Sequence, residues 1–178
     1  VAPGIDAHWP TAAKNGFGTS TSPTSKVWFT LASGILTEVF YPTIDIPNTQ
    51  TLQFVVCRDR SCQFAEAMSH SLSVVDDRSL SFRQVNSTSG ITITKTYTTD
   101  PDRATVLIDV VINSSVSNSA LFLYYDPSLK NSGMHDSAWT GSGALLASEA
   151  NVASALVATV RFESISNSFA GKDIDSAP

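Results

Sequence analysis

Long charged side chains are scarce in this sequence. Its 178 residues hold 5 Lys, 6 Arg and 4 Glu, and charged residues make up only 15% of the chain. Exposed helical faces are built mostly from such residues, so a helix-rich domain is disfavoured from the outset. There is no run of Lys or Arg and the net charge is −5, which argues against a nucleic-acid partner. No apolar run approaches the roughly 18 residues needed to cross a bilayer as a helix, so no membrane partner is expected. The three histidines, His8, His70 and His135, show neither i, i+4 pairing nor a His-Glu spacing, so no metal site is expected. No Gly-rich phosphate loop and no Gly-x-Ser-x-Gly elbow is present, and no cofactor is expected. Serine is too common for counting to exclude a Ser/His/Asp triad.

Cysteine is nearly absent too. Cys57 and Cys62 stand at the two ends of Arg58-Asp59-Arg60-Ser61, a spacing that suits a tight β-turn. A disulfide clasping that turn is expected if the protein is exported; the other reading is two buried thiols. Closing so short a loop stabilises by about 2–3 kcal/mol at most. The chain begins at Val1 rather than Met, without a charged segment followed by an apolar core. It reads as a mature or trimmed product, secreted or periplasmic.

What is abundant is hydroxyl: 26 Ser and 18 Thr, alongside 42% hydrophobic residues. That composition favours strands and turns, and the length suits one sizeable all-β core. The strongest local signal is residues 26–42, where two β-branched and aromatic runs flank Ala32-Ser33-Gly34 and Pro42 ends the second. This is a hairpin. In period two, Val27, Phe29 and Leu31 share one face. Leu36, Glu38 and Phe40 share a face of the second strand, opposite Ile35, Val39 and Tyr41. Both faces are largely apolar, so the hairpin is expected at the centre of a sandwich.

Residues 1–25, rich in Pro, Gly, Ser and Thr, read as an extended leader over a sandwich formed by residues 26–178. Burial of the Trp9 and Phe17 rings would anchor it. Strands are expected over 52–57, within 63–75, and over 80–86, 91–98, 105–112 and 120–125. Ile91-Thr92-Ile93-Thr94-Lys95-Thr96-Tyr97-Thr98 alternates most cleanly, with Ile91, Ile93 and Tyr97 inward and a threonine ladder outward. Thr105 to Ile112 is nearly all apolar and is expected to be covered on both faces. Residues 126–143 lose the pattern and read as a long docking or binding loop. Strands are expected again over 144–148 and 152–163, although Ala153, Ala155 and Ala158 would also suit a helix in the second run.

Glycoside hydrolysis needs two placed carboxylates. Glu38 is a candidate because Leu36 and Phe40 would desolvate it; the alternative is a structural carboxylate that meets a cation or hydroxyl groups. His135 and Asp136, beside Trp139, could orient an imidazole for base catalysis or ligand binding, or simply furnish a polar loop. Trp139 and Trp28 are candidates for stacking on a sugar ring or docking another domain. Asn86-Ser87-Thr88 and Asn113-Ser114-Ser115 are glycosylation sequons in expected turns.

An ordered series of motifs runs through the chain. It comprises Gly16-Phe17-Gly18-Thr19, Ser25-Lys26-Val27-Trp28-Phe29-Thr30, Leu36-Thr37-Glu38-Val39-Phe40-Tyr41-Pro42 and Leu52-Gln53-Phe54-Val55-Val56. Arg83-Gln84-Val85-Asn86, Thr94-Lys95-Thr96-Tyr97, Leu123-Tyr124-Tyr125-Asp126-Pro127-Ser128-Leu129 and Val152-Ala153-Ser154-Ala155-Leu156 continue it. The series resembles the N-terminal domain of bacterial and archaeal glucoamylase-type enzymes, the glucoamylases and glucodextranases of glycoside hydrolase family 15. The resemblance implies a large antiparallel super-β-sandwich of galactose-mutarotase-like type. It implies as partners an (α/α)₆-barrel catalytic domain of the same enzyme and α-glucan oligosaccharides or polysaccharides. Catalysis in the family is inverting, by two barrel glutamates whose motif is absent here, so no catalytic residue is carried over. Family sandwiches run on beyond residue 178, so either a second chain or segment is expected to supply the last strands, or the sheets close differently here. The runner-up reading is a free carbohydrate-binding module that stacks sugars on Trp139 or Trp28.

Overall fold

A computed structural model describes residues 2–3, 9–131 and 134–168. All of its sheets are antiparallel, and the described residues contain no α-helix. The strands in chain order are β1 (Ala2–Pro3), β2 (Gly16–Thr19), β3 (Trp28–Ala32), β4 (Ile35–Phe40), β5 (Thr49–Arg58), β6 (Ser61–Phe64) and β7 (Ser69–Asp76). They continue with β8 (Ser81–Thr88), β9 (Ile91–Thr99), β10 (Val106–Ser114), β11 (Ser119–Pro127), β12 (Ser137–Gly141), β13 (Ala144–Glu149) and β14 (Val152–Leu156). A large sheet has the order β11-β5-β4-β3-β2, with β6 added against β5. A facing sheet runs β10-β9-β8-β7, and a smaller one β1-β12-β13-β14. The all-β sandwich expected from composition is the fold observed.

The core lies between the large and facing sheets. Phe29, Leu31, Leu36 and Leu52 meet Phe82 and Tyr97 at one end; Ile35, Val56, Ala65 and Met68 meet Ile91 and Ile93 at the other. The Phe29 ring packs edge-on to Phe82 at 6.4 Å and tilted against Tyr97 at 5.9 Å. Gly18, paired with Phe29 across β2 and β3, leaves room for that ring, since a Cβ there would stand 2.2 Å from it.

The hairpin at residues 26–42 is β3 and β4, flanked by β2 and β5 inside the sheet. Its strict alternation fails at one place. Thr30 pairs with Glu38 but Leu31 pairs with Leu36, which leaves Thr37 as an extra residue. The Thr37 hydroxyl donates to Thr30 O at 3.1 Å and sits 2.9 Å from the Thr30 hydroxyl. This bulge changes the phase of β4, so Leu36 and Val39 reach the same core.

Other expectations change in definite ways. The strand expected to be long or broken over 63–75 is the broken one: β6 and β7 lie in different sheets, joined by a 3₁₀ turn at Ala65–Ala67. β10 is not covered on both faces: it is the edge of the facing sheet, with Leu107, Val111 and Ile112 each nearly half exposed. The patternless stretch 126–143 contains a strand, β12, and a 3₁₀ turn at Leu129–Asn131. The expected strand over 152–163 stops at Leu156. Within the first 25 residues, Gly16–Thr19 is the outer strand of the large sheet, and Ala2–Pro3 pairs with β12. The Trp9 ring is 60% exposed, so it is not the buried anchor its size invites. His8, Gly133 and the tail beyond residue 168 lie outside the described residues.

Cys57 and Cys62 form the disulfide, directly opposite each other at the β5–β6 turn. Asn86 is not in a turn: it is fully buried in β8 and donates to Ala65 O at 2.8 Å, which rules out glycosylation in the folded chain. Asn113 lies on exposed β10.

Candidate functional site

The segment after β11 is held by its own polar groups. Leu129 is fully buried, and its amide donates to Asp136 Oδ2 at 2.9 Å. Lys130 N donates to Asn48 Oδ1 at 3.0 Å and Asn131 N to Pro47 O at 2.9 Å. Asn48 Nδ2 in turn donates to Tyr41 O and Ile46 O, at 2.7 and 3.0 Å. Residues 41–48 therefore form one continuous end of the sandwich with residues 128–131 and Asp136. Trp9 joins them, its indole Nε1 donating to Asn131 Oδ1 at 3.1 Å while its face stays open to solvent. Tyr41, Ile44 and Met134 are also exposed.

Asp136 is only 4% exposed. Burial pushes its carboxyl up to about 6, against the pull of the Leu129 amide; the Glu149 carboxyl in contact with it and nearby Asp126 add to the rise. Neither Asp136 Oδ1 nor Glu149 Oε2 has a donor from the rest of the protein. Burial and the neighbouring carboxylates thus all disfavour the charged form of Asp136. Burial also raises the hydroxyls of Tyr124, beside Asp126, and of Tyr125, which is 2.8 Å from Ser154 Oγ.

The four residues singled out from sequence fall in different settings. His135 is exposed while its neighbour Asp136 is buried and engaged with Leu129, so no oriented imidazole–carboxylate pair forms. Trp139 is half-buried on β12, opposite Leu146 of β13. Trp28 is half-buried on β3, between Thr19 and Phe40. Trp9, expected to be buried, is instead the most exposed of the three indoles. Its pairing with a residue 122 positions away left no local signal.

Glu38 is a structural carboxylate. It lies 2.9 Å from Lys14 Nζ and accepts a 3.0 Å bond from the Thr30 hydroxyl. A cavity of about 330 Å³ beside the disulfide is lined by Arg58, Asp59, Ser61, Gln63 and Thr88. A second, about 660 Å³, is formed by residues 142–143 and 158–165, with Glu163 its only carboxylate. Each holds one carboxylate, so neither has the facing pair that glycoside hydrolysis requires. Among the described residues there is no group of three or more His, Cys, Asp or Glu able to hold a metal ion.

Exposed apolar side chains also occur on two strands that follow each other in the chain, as they do at Val74 and Val75 of β7 and at Val157 and Val160. β10 ends the facing sheet and β11 ends the large sheet. Together they expose Leu107, Val111, Ile112, Leu121 and Phe122. Sheet edges with exposed apolar side chains are otherwise avoided or covered, because unpaired N–H and C=O groups invite another strand.

Comparison with known proteins agrees with the all-β fold. The family model for glucodextranase, domain N, matches residues 1–176. A glucoamylase from Clostridium sp. (strain G0005) is 32% identical over 176 residues, covering 92% of this chain and 25% of that protein. A crystal structure of a bacterial glucoamylase complexed with acarbose superposes with a TM-score of 0.90 at 30% identity, covering 98% of this chain and 28% of the other. The chain thus spans about a quarter of the length of these relatives. With the sandwich, the motif series and the chain-wide match in agreement, the chain belongs to the glucodextranase N-domain family.

Proposed function

We propose that this chain is the non-catalytic N-terminal sandwich of a glucoamylase- or glucodextranase-type hydrolase. In that reading it supports and orients an (α/α)₆-barrel catalytic domain acting on α-glucans. The observation that carries the proposal is the family match along the whole chain, joined to the apolar edge of β10 and β11. That edge is the surface we assign to contact with the catalytic barrel. His135, Asp136, Trp139 and Trp28 would serve packing and docking rather than bond cleavage. The Cys57–Cys62 disulfide supports a secreted or periplasmic location.

The test compares the parent polypeptide with this chain alone on maltooligosaccharides and dextran. The parent is expected to release glucose and the isolated chain to release none. A double substitution, Val111→Glu with Phe122→Glu, is expected to lower the parent's thermal midpoint by several degrees. Glucose release by the isolated chain would overturn the proposal. A second reading, sugar stacking by the sandwich itself, is favoured by the open Trp9 face. It requires retardation of the chain in a starch or dextran affinity gel, lost on Trp9→Ala.

A further inference from the structure

Lys95 stands at the centre of the sandwich. It belongs to β9, an interior strand of the facing sheet, and is 2% exposed. Its Nζ donates to Gly34 O at 2.6 Å and to Gln84 Oε1 at 2.7 Å. Gly34 is in the β3–β4 turn of the opposite sheet, where its φ of +75° and the closeness of Asn86 Nδ2 leave no space for a side chain. Gln84 is the direct cross-strand partner of Lys95, and its own Nε2 donates to Ile35 O at 3.3 Å. Tyr97 donates its hydroxyl to the same Gln84 Oε1 at 3.1 Å. Lys95 and Gln84 together thus bridge the turn of one sheet to the middle of the other.

The number of donors decides the charge state. A neutral amine has two N–H groups, and both have acceptors here. An ammonium has three, and the third would have none: the Tyr97 ring centroid is 5.9 Å away and Asn86 Oδ1, itself without a donor, is outside hydrogen-bond reach of Nζ. Among the described residues no carboxylate is paired with Lys95. The titratable groups nearest this network are Tyr97 on the same strand and His70 on β7, which packs beside Gly34 and bonds Met68 O. The turn 33–36 carries none.

We propose that Lys95 is held in the native core as an uncharged amine stapling the β3–β4 turn to β8 and β9, and that protonation loosens this junction between the sheets. The direction of its titration agrees: burial lowers the amine from 10.5 to about 7. The unfolded chain binds the proton more tightly between those values. Stability therefore falls as pH drops from about 10.5 to 7 and levels off below.

The test is a ¹⁵N titration of the full chain labelled at lysine Nζ, with backbone shifts of Ile35 and Gln84 followed in parallel. Lys95 is expected to titrate near pH 7, well below an ordinary lysine, with Ile35 and Gln84 tracking the same midpoint in a His70→Gln background. A Lys95→Met variant is expected to lose both that midpoint and the fall in thermal midpoint between pH 10 and 7. A Lys95 signal titrating near 10.5 overturns the proposal, as does an unchanged pH profile in Lys95→Met. If that variant does not fold, the wild-type titration decides alone.

Discussion

The sandwich buries ionisable groups at two places, and they solve the same problem from opposite sides. At its centre Lys95 meets only neutral acceptors, Gly34 O and Gln84 Oε1. At its end Asp136 accepts from the Leu129 amide and then faces a second acid, Glu149. Neither has the counter-ion that normally accompanies a buried charge. Where a partner of opposite sign is missing, the charge itself is removed: the amine is favoured without its proton, the acid with it. The two groups therefore tilt stability in opposite directions. The Asp136 carboxyl is raised from 3.8 to about 6, so its contribution is fully present below 3.8 and is lost as pH rises through 6. That of Lys95 is regained only between about 7 and 10.5. Taken together, these two groups are least favourable to folding between about pH 6 and 7.

The largest effect is expected from removing the acceptor at the centre. Gln84→Leu orphans a donor on Lys95 and another on Tyr97. It is expected to cost about 3–5 kcal/mol in urea unfolding, whereas Arg83→Leu on the exposed face of the same strand changes stability by less than about 0.5 kcal/mol. Equal effects would mean that the central network is not what holds the sheets. At the other site, Asp136→Asn keeps an acceptor for Leu129 N and supplies an N–H to Glu149. It is expected to stabilise by roughly 2–3 kcal/mol at pH 8 and by almost nothing at pH 4; destabilisation at both pH values would show that the Asp136 carboxyl is not raised by its surroundings. The smallest effect belongs to a site remote from both. Replacing Cys57 and Cys62 with serine opens a loop with a sequence separation of 5. That change is expected to cost about 2 kcal/mol, measured by thermal unfolding, and to leave both pH slopes in place.

Much of the architecture was written in local pattern. The β3–β4 hairpin, the Ile91–Tyr97 alternation and the turns at Asp76 and Asp100 all rest on neighbours in the chain, and all appear where that pattern puts them. The failures have a common cause. β12, Ser137–Gly141, carries small and polar residues around Trp139, and its strand state comes from pairing with β13 and β1. β10 is apolar enough for a covered strand, yet position in the sheet, not composition, decides whether cover exists. The Asp136–Glu149 contact and the Trp9–Asn131 bond join residues too far apart for any spacing rule to connect.

From the sequence alone came the all-β class, the disulfide spacing and the motif series that places the chain in its family, because each depends on short-range periodicity or residue order. The inward phase of Lys95 could be read there as well, since it shares the rhythm of Ile93 and Tyr97. That the amine meets two carbonyl oxygens and no carboxylate was settled only when two sheets came together. Its acceptor Gly34 lies 61 residues away, and hydrogen-bonding and desolvation of a buried group depend on distance in space rather than distance along the chain.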